Sequence, residues 1–260
     1  MFVQVIQGRV SDAAPVRAQL ERWAADLAPE AVGWLGTTAG VTDDGTMVAL
    51  ARFESEESAR QNSDRPQQSA WWEQTATLFT EEPVFQNSTS VDVDTPGDPS
   101  QAGFVQVMQG RSSDPDRVRE LMANDPTDWR EYRPDILGTV NVAHGNGAWT
   151  MAIYFTSEEA AREGERKEPP PAMQQTMTEM QALSIGEQVF FDLKDPQALR
   201  AQLSRRQTEQ IPQAPMRRQA AKCSHPADAD QTPRRQPPTV PRRRKRPVGD
   251  PTMTPFFSTC

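Results

Sequence analysis

The stretch Phe2-Val3-Gln4-Val5-Ile6-Gln7-Gly8-Arg9 returns as Phe104-Val105-Gln106-Val107-Met108-Gln109-Gly110-Arg111, with seven of eight positions identical. The spacing of 102 then holds without a gap for about fifty residues. Leu35-Gly36-Thr37 falls on Leu137-Gly138-Thr139, Gly45 on Gly147, Phe53 on Phe155, and Ser55-Glu56-Glu57 on Ser157-Glu158-Glu159. Agreement of this extent marks a tandem duplication. Any fold for this chain must work twice, and duplicated units are expected to pack on each other as a built-in dimer.

Within the first unit, residues 2–9 interleave Val and Ile with Gln, as a buried strand does. Ser11-Asp12 supplies a helix N-cap, and Val16, Leu20, Trp23 and Leu27 follow at helical spacing. Residues 33–42 and 46–54 read as strands joined by the tight turn Asp43-Asp44-Gly45. Ser55 caps a second helix, Pro66 interrupts it, and helix resumes through Gln67–Phe79. Val84-Phe85 open a last strand. The order is β-α-β-β-α-β. The second unit repeats it, with strands at 104–111, 136–143 and 148–155. Its first helix is expected to be shorter, because Pro126 stops it. Three extra residues around Pro169-Pro170-Pro171 shift the later spacing to 105, so Val189-Phe190 match Val84-Phe85. The domain reading is unit 1 at 1–92, a linker at 93–103, unit 2 at 104–197 and a tail at 198–260.

Charge separates the tail from the body. Residues 1–199 carry 15 basic and 32 acidic side chains, and residues 200–260 carry 13 and 4. An acidic body repels phosphates, so nucleic acid is not its expected partner. The tail holds 10 of the 23 prolines and the run Arg242-Arg243-Arg244-Lys245-Arg246, and is expected to be disordered. A basic run is also compatible with a nucleic-acid or anionic-surface contact. The composition changes abruptly after Asp195-Pro196. A read-through extension would do the same, and a cut near residue 198 is then expected to leave solubility and activity unchanged. No apolar run approaches the roughly 18 residues of a membrane span, so a cytoplasmic protein without membrane contact is expected. Both cysteines, Cys223 and Cys260, lie in the tail, and His144 is the body's single histidine. That combination speaks against a disulfide framework, thiolate chemistry or a structural zinc site.

The βαββαβ order fits a ferredoxin-like fold. Further detail lies in Phe53-Glu54-Ser55-Glu56-Glu57-Ser58-Ala59-Arg60, its copy Phe155-Thr156-Ser157-Glu158-Glu159-Ala160-Ala161-Arg162, and Trp71-Trp72-Glu73. On these residues the chain resembles the antibiotic biosynthesis monooxygenase-like family, here as a tandem fusion over residues 1–195. The resemblance implies an α+β fold in which two ferredoxin-like units form a dimeric α/β-barrel within one chain. It also implies an interior able to hold a small aromatic compound, and cofactor-independent oxygenation as the activity. Haem-degrading members use an Asn/Trp/His set. Here Gln stands for Asn and the second helices lack His, which argues against haem and leaves no cofactor expected. Further homo-oligomer formation stays open.

Candidate site residues follow, each beside a structural alternative. Gln4 and Gln106 could orient a phenolic oxygen in the interior, or could bridge the paired sheets. Gln7 and Gln109 face the opposite way, so only one pair can point inward. Trp71 and Trp72 could wall a planar ligand or serve as core, and Met173, Met177 and Met180 likewise. Val48, Leu50 and Arg52 alternate with a more apolar set, as do Thr150, Ala152 and Tyr154. The more apolar sets are expected to face the helices. Arg52 and Tyr154 then point inward, as anion stabiliser and proton donor, or Arg52 is a solvated rim residue. His144 could be a base, an axial haem ligand or an exposed loop residue. The competing reading of the whole chain is a non-catalytic binding or scaffold protein of the same fold.

Overall fold

The computed structural model describes residues 1–200, so the tail beyond residue 200 and its basic run lie outside the described residues. In the first half, strand β1 (Phe2–Arg9) is followed by helix α1 (Ala13–Asp26), whose N-cap Asp12 accepts from the Ala14 amide. Strands β2 (Trp34–Val41) and β3 (Thr46–Phe53) form the expected hairpin. Helix α2 (Glu56–Ser63) is capped by the Ser55 hydroxyl, and helix α3 (Pro66–Ala76) begins at the proline itself. A proline at that position loses nothing, because the first helical amides have no partner. Strand β4 (Val84–Ser88) returns alongside β1.

The second half repeats this order: β6 (Phe104–Arg111), α4 (Pro115–Ala123), β7 (Ile136–Ala143), β8 (Ala148–Phe155), α6 (Glu158–Glu165), α7 (Pro171–Ala182) and β9 (Val189–Leu193). Helix α4 stops before Pro126 as expected, and a single helical turn, α5 (Trp129–Tyr132), fills part of the gap.

Two further strands correct the expected boundaries. β5 (Val91–Asp94), partly inside the supposed linker, pairs not with its own half but with β7. β10 (Gln197–Arg200), at the supposed start of the tail, pairs with β2 of the first half. The sheets are therefore β10-β2-β3-β1-β4 and β5-β7-β8-β6-β9. Each half lends its last segment to the other's sheet. Both receiving strands carry the glycine of the repeated Leu-Gly-Thr. At Gly36 (φ +151°) an added Cβ would lie 2.8 Å from the Leu199 carbonyl oxygen. At Gly138 it would lie 3.0 Å from that of Asp94. Only a residue without a side chain lets the exchanged strand approach. A cut near residue 198 would sever β10.

The two sheets face each other. Val3, Val5, Val48 and Leu50 of the first pack against Val105, Val107, Val140, Val142, Ala152, Tyr154, Phe191 and Leu193 of the second as one buried cluster. Strand alternation places the opposite residues against the helices. There the first half holds Phe2, Trp23, Leu27, Trp34 and Phe53, and the second Phe104, Met108, Ile153 and Phe155.

Candidate functional site

Arg52 and Tyr154 stand on the shared interior face, away from the more apolar set of each strand, which faces the helices. Tyr154 is 1% exposed, and its hydroxyl lies 2.7 Å from the Thr38 hydroxyl of the opposite sheet. Burial pushes its phenol above the ordinary value, against the opposing pull of Arg52 and the Thr38 hydrogen bond. The phenol therefore stays protonated across the physiological range. Arg52 is half-buried. Its Nε is buried with no hydrogen-bond partner, and it makes no ion pair among the described residues.

His144 does not join this pair. Its Nε2 lies 3.0 Å from the Thr150 hydroxyl, which also accepts from the Gln109 amide at 3.3 Å. Thr150 is four residues before Tyr154 on β8, about 13 Å along a strand. Burial lowers the His144 pKa and keeps the imidazole neutral near pH 7.

The remaining candidates lie on the helix side of the sheets rather than in the interior. The cause is the strand period: Val3, Val5, Val105 and Val107 take the shared face, which turns Gln4 and Gln106 outward. Each glutamine bridges to its cross-strand neighbour. Gln4 Nε2 donates to Asn87 Oδ1 at 3.1 Å, and Gln106 Nε2 to Asp192 Oδ1 at 2.9 Å. Arg162 pairs with the same Asp192 and lies over the Phe104 ring. Trp71 donates to the Gln19 carbonyl and meets Trp23 edge-on, while Trp72 packs on Phe79 and Phe85. These tryptophans complete the helix layer of the first half, and Met173 is likewise buried in that of the second.

An open space on the interior face lies elsewhere. A cleft of about 400 Å³ is lined by Val5, Gln7, Arg9, Thr46, Val84 and Gln86, with Glu81 and Glu82 at its rim. The direct cross-strand pairs Val5–Gln86 and Gln7–Val84 put these side chains on the same face as the interior valines. In the second half the pair matching Val5–Gln86 is Val107–Phe191. Phe191 is 8% exposed and belongs to the core cluster. A phenyl ring thus closes one copy where a glutamine leaves the other open.

The cleft's floor is apolar. Its walls offer two amides, a hydroxyl and the Arg9 guanidinium, and its rim two carboxylates. That set can both accept from and donate to the hydroxyls of a ligand. Sequence reasoning passed over Gln86, Thr46, Glu81 and Glu82. The available signal was the Gln86/Phe191 difference between aligned copies.

No family model matches the chain, and no curated protein matches it. Solved structures do. A presumed monooxygenase from Lactobacillus acidophilus is 12% identical, with a TM-score of 0.59 over 76% of this chain and 98% of that one. A presumed monooxygenase from Fusobacterium nucleatum is 10% identical, with a TM-score of 0.61 over 76% of this chain and 92% of that one. Identities so low speak to the fold alone. The matched share exceeds either half, so this chain has, as a tandem duplication, the ferredoxin-like α+β fold of these monooxygenase-like structures.

Proposed function

We infer that the chain is a monooxygenase-like protein that binds a small hydroxylated aromatic compound at the mouth of its barrel interior, without turning it over. The observation that carries this reading is the cleft left open by Gln86 where Phe191 closes the other half. Its volume of about 400 Å³ lies at the lower end of the ~300–1,000 Å³ typical of ligand sites. Val5 and Val84 would support a ring. Gln7, Gln86 and the two rim carboxylates would accept from its hydroxyls. Catalysis has weaker support, because Tyr154 lies in a filled core and His144 stands apart from it.

A second reading, cofactor-independent oxidation, is favoured by one feature: the unpartnered buried Nε of Arg52, which faces the same interior as the Tyr154 phenol. There Arg52 would stabilise a substrate phenolate and Tyr154 would donate a proton. Calorimetric titration with 1,4-hydroquinone, paired with an oxygen electrode, separates the two. Saturable binding without oxygen uptake above buffer supports the binding protein. Oxygen uptake that disappears in Arg52→Ala and Tyr154→Phe supports the oxygenase. Absence of binding rejects both.

A further inference from the structure

In the first half, the glycine of the repeated Leu-Gly-Thr has an arginine on either side of it. Gly36 of β2 lies directly opposite Arg52 of β3 and, across its other edge, directly opposite Arg200 of the exchanged strand β10. Residues directly opposite share a face, so both arginines rise beside Gly36 on the face that carries Arg52. With no side chain at Gly36, the space above it is theirs. An added Cβ would lie 2.8 Å from Arg52 Nη2 and 3.7 Å from Arg200 Cα. In the second half Tyr154 stands opposite Gly138, and Pro99 Cγ fills the matching point at 2.8 Å. The paired cations are particular to the first half, and they meet only because the second half returns a strand to it.

Arg52 has no counterion there. Residues 1–199 carry 32 acidic side chains, yet none pairs with Arg52 among the described residues. Its Nε is buried, whereas its two terminal nitrogens keep accessible surface and likewise have no hydrogen-bond partner among the described residues. A half-buried guanidinium without an acceptor is costly, and an acceptor brought from outside would relieve it. Arg200 gives one nitrogen, Nη2, to Asp98 and leaves the others without a partner among the described residues. That ion pair is about half exposed on both sides, at 48% and 51%, and so is weak. Two guanidiniums and the Asp98 carboxylate leave one positive charge, which a single negative charge balances. A guanidinium fork matches the two oxygens of a carboxylate.

We propose that Arg52 and Arg200 form an anion site over Gly36 that takes the carboxylate of a small monocarboxylic acid. It shares no residue with the interior cleft and does not rest on the function inferred above. Titrating the full chain with acetate, exchanged for chloride at constant pH and ionic strength, tests it. The amide NMR signal of Gly36 is the readout. It should move saturably with acetate. Inorganic phosphate should bind less tightly, because its second charge finds no partner there and meets an acidic body. Arg52→Gln should weaken acetate binding about tenfold or more, the size of a hydrogen-bonded charge, with the circular dichroism spectrum unchanged. Asp98→Asn keeps the oxygen that caps the Ser100 amide and removes the competing charge, so it should tighten binding about two- to fivefold, the size of one exposed ion pair. Gln86→Phe, in the interior cleft, should leave acetate binding as it is. Equal response to acetate, phosphate and chloride would mark an adventitious ion only and overturn the proposal. So would acetate binding that survives Arg52→Gln, that does not tighten in Asp98→Asn, or that is lost in Gln86→Phe.

Discussion

Tyr154 and Thr38 meet across the interior, 2.7 Å apart and both buried. Removing one partner strands the other. Tyr154→Phe should therefore lower stability by about 1–3 kcal/mol in urea unfolding. Adding Thr38→Val should recover part of that loss, and a double-mutant cycle would measure the coupling. His144 sets a pH dependence. Burial holds its folded pKa below the unfolded value of about 6.5, so the unfolded chain takes up the proton first. Its contribution is complete above the unfolded pKa and is lost as pH falls through it towards the folded value. Urea midpoints at pH 7.5 and 5.5 should fall further apart in the unmodified protein than in His144→Gln. The inward direction of Arg52 and Tyr154 was legible from their alternation with a more apolar set that faces the helices. The outward direction of Gln4 was not, because β1 carries Gln and branched aliphatic residues in both phases and only the partner sheet decides which valines it claims.

The helices other than α5, and eight of the ten strands, follow from caps, prolines and period. The exchanged strands β5 and β10 do not. Each is four residues long, and each is ordered by the edge it meets rather than by its own pattern. Their trace in the sequence is indirect: the repeated glycines Gly36 and Gly138, where a carbonyl of the visiting strand comes within about a methyl group's reach. Ending the chain after Lys194 removes β10, the Leu199 packing and the ion pair of Arg17 with Asp195. Ending it after Arg200 removes none of these. The shorter chain should melt at lower temperature by calorimetry, with a loss of order 2 kcal/mol or more, from one Leu burial plus a short ladder. Equal melting of the two would mean that β10 contributes nothing to the first sheet.

At the scale of the molecule, the two halves share one core. Val3, Val5, Val48 and Leu50 have no cover except the second sheet, so residues 1–95 expressed alone should aggregate or associate. Mixing them with residues 96–200 during refolding should restore a soluble species, read by size-exclusion chromatography. The sequence made the duplication plain but not its filled interior, because the size of a chamber between sheets depends on the large side chains that meet there. What distinguishes the halves is local: glutamine at 86 against phenylalanine at 191, each opposite the same valine of the repeat. Gln86→Phe makes the first half copy the second. Calorimetric titration with 1,4-hydroquinone should show saturable binding to the unmodified protein and none to Gln86→Phe, with the circular dichroism spectrum unchanged. Equal affinity in the two proteins would contradict a ligand site in the interior cleft.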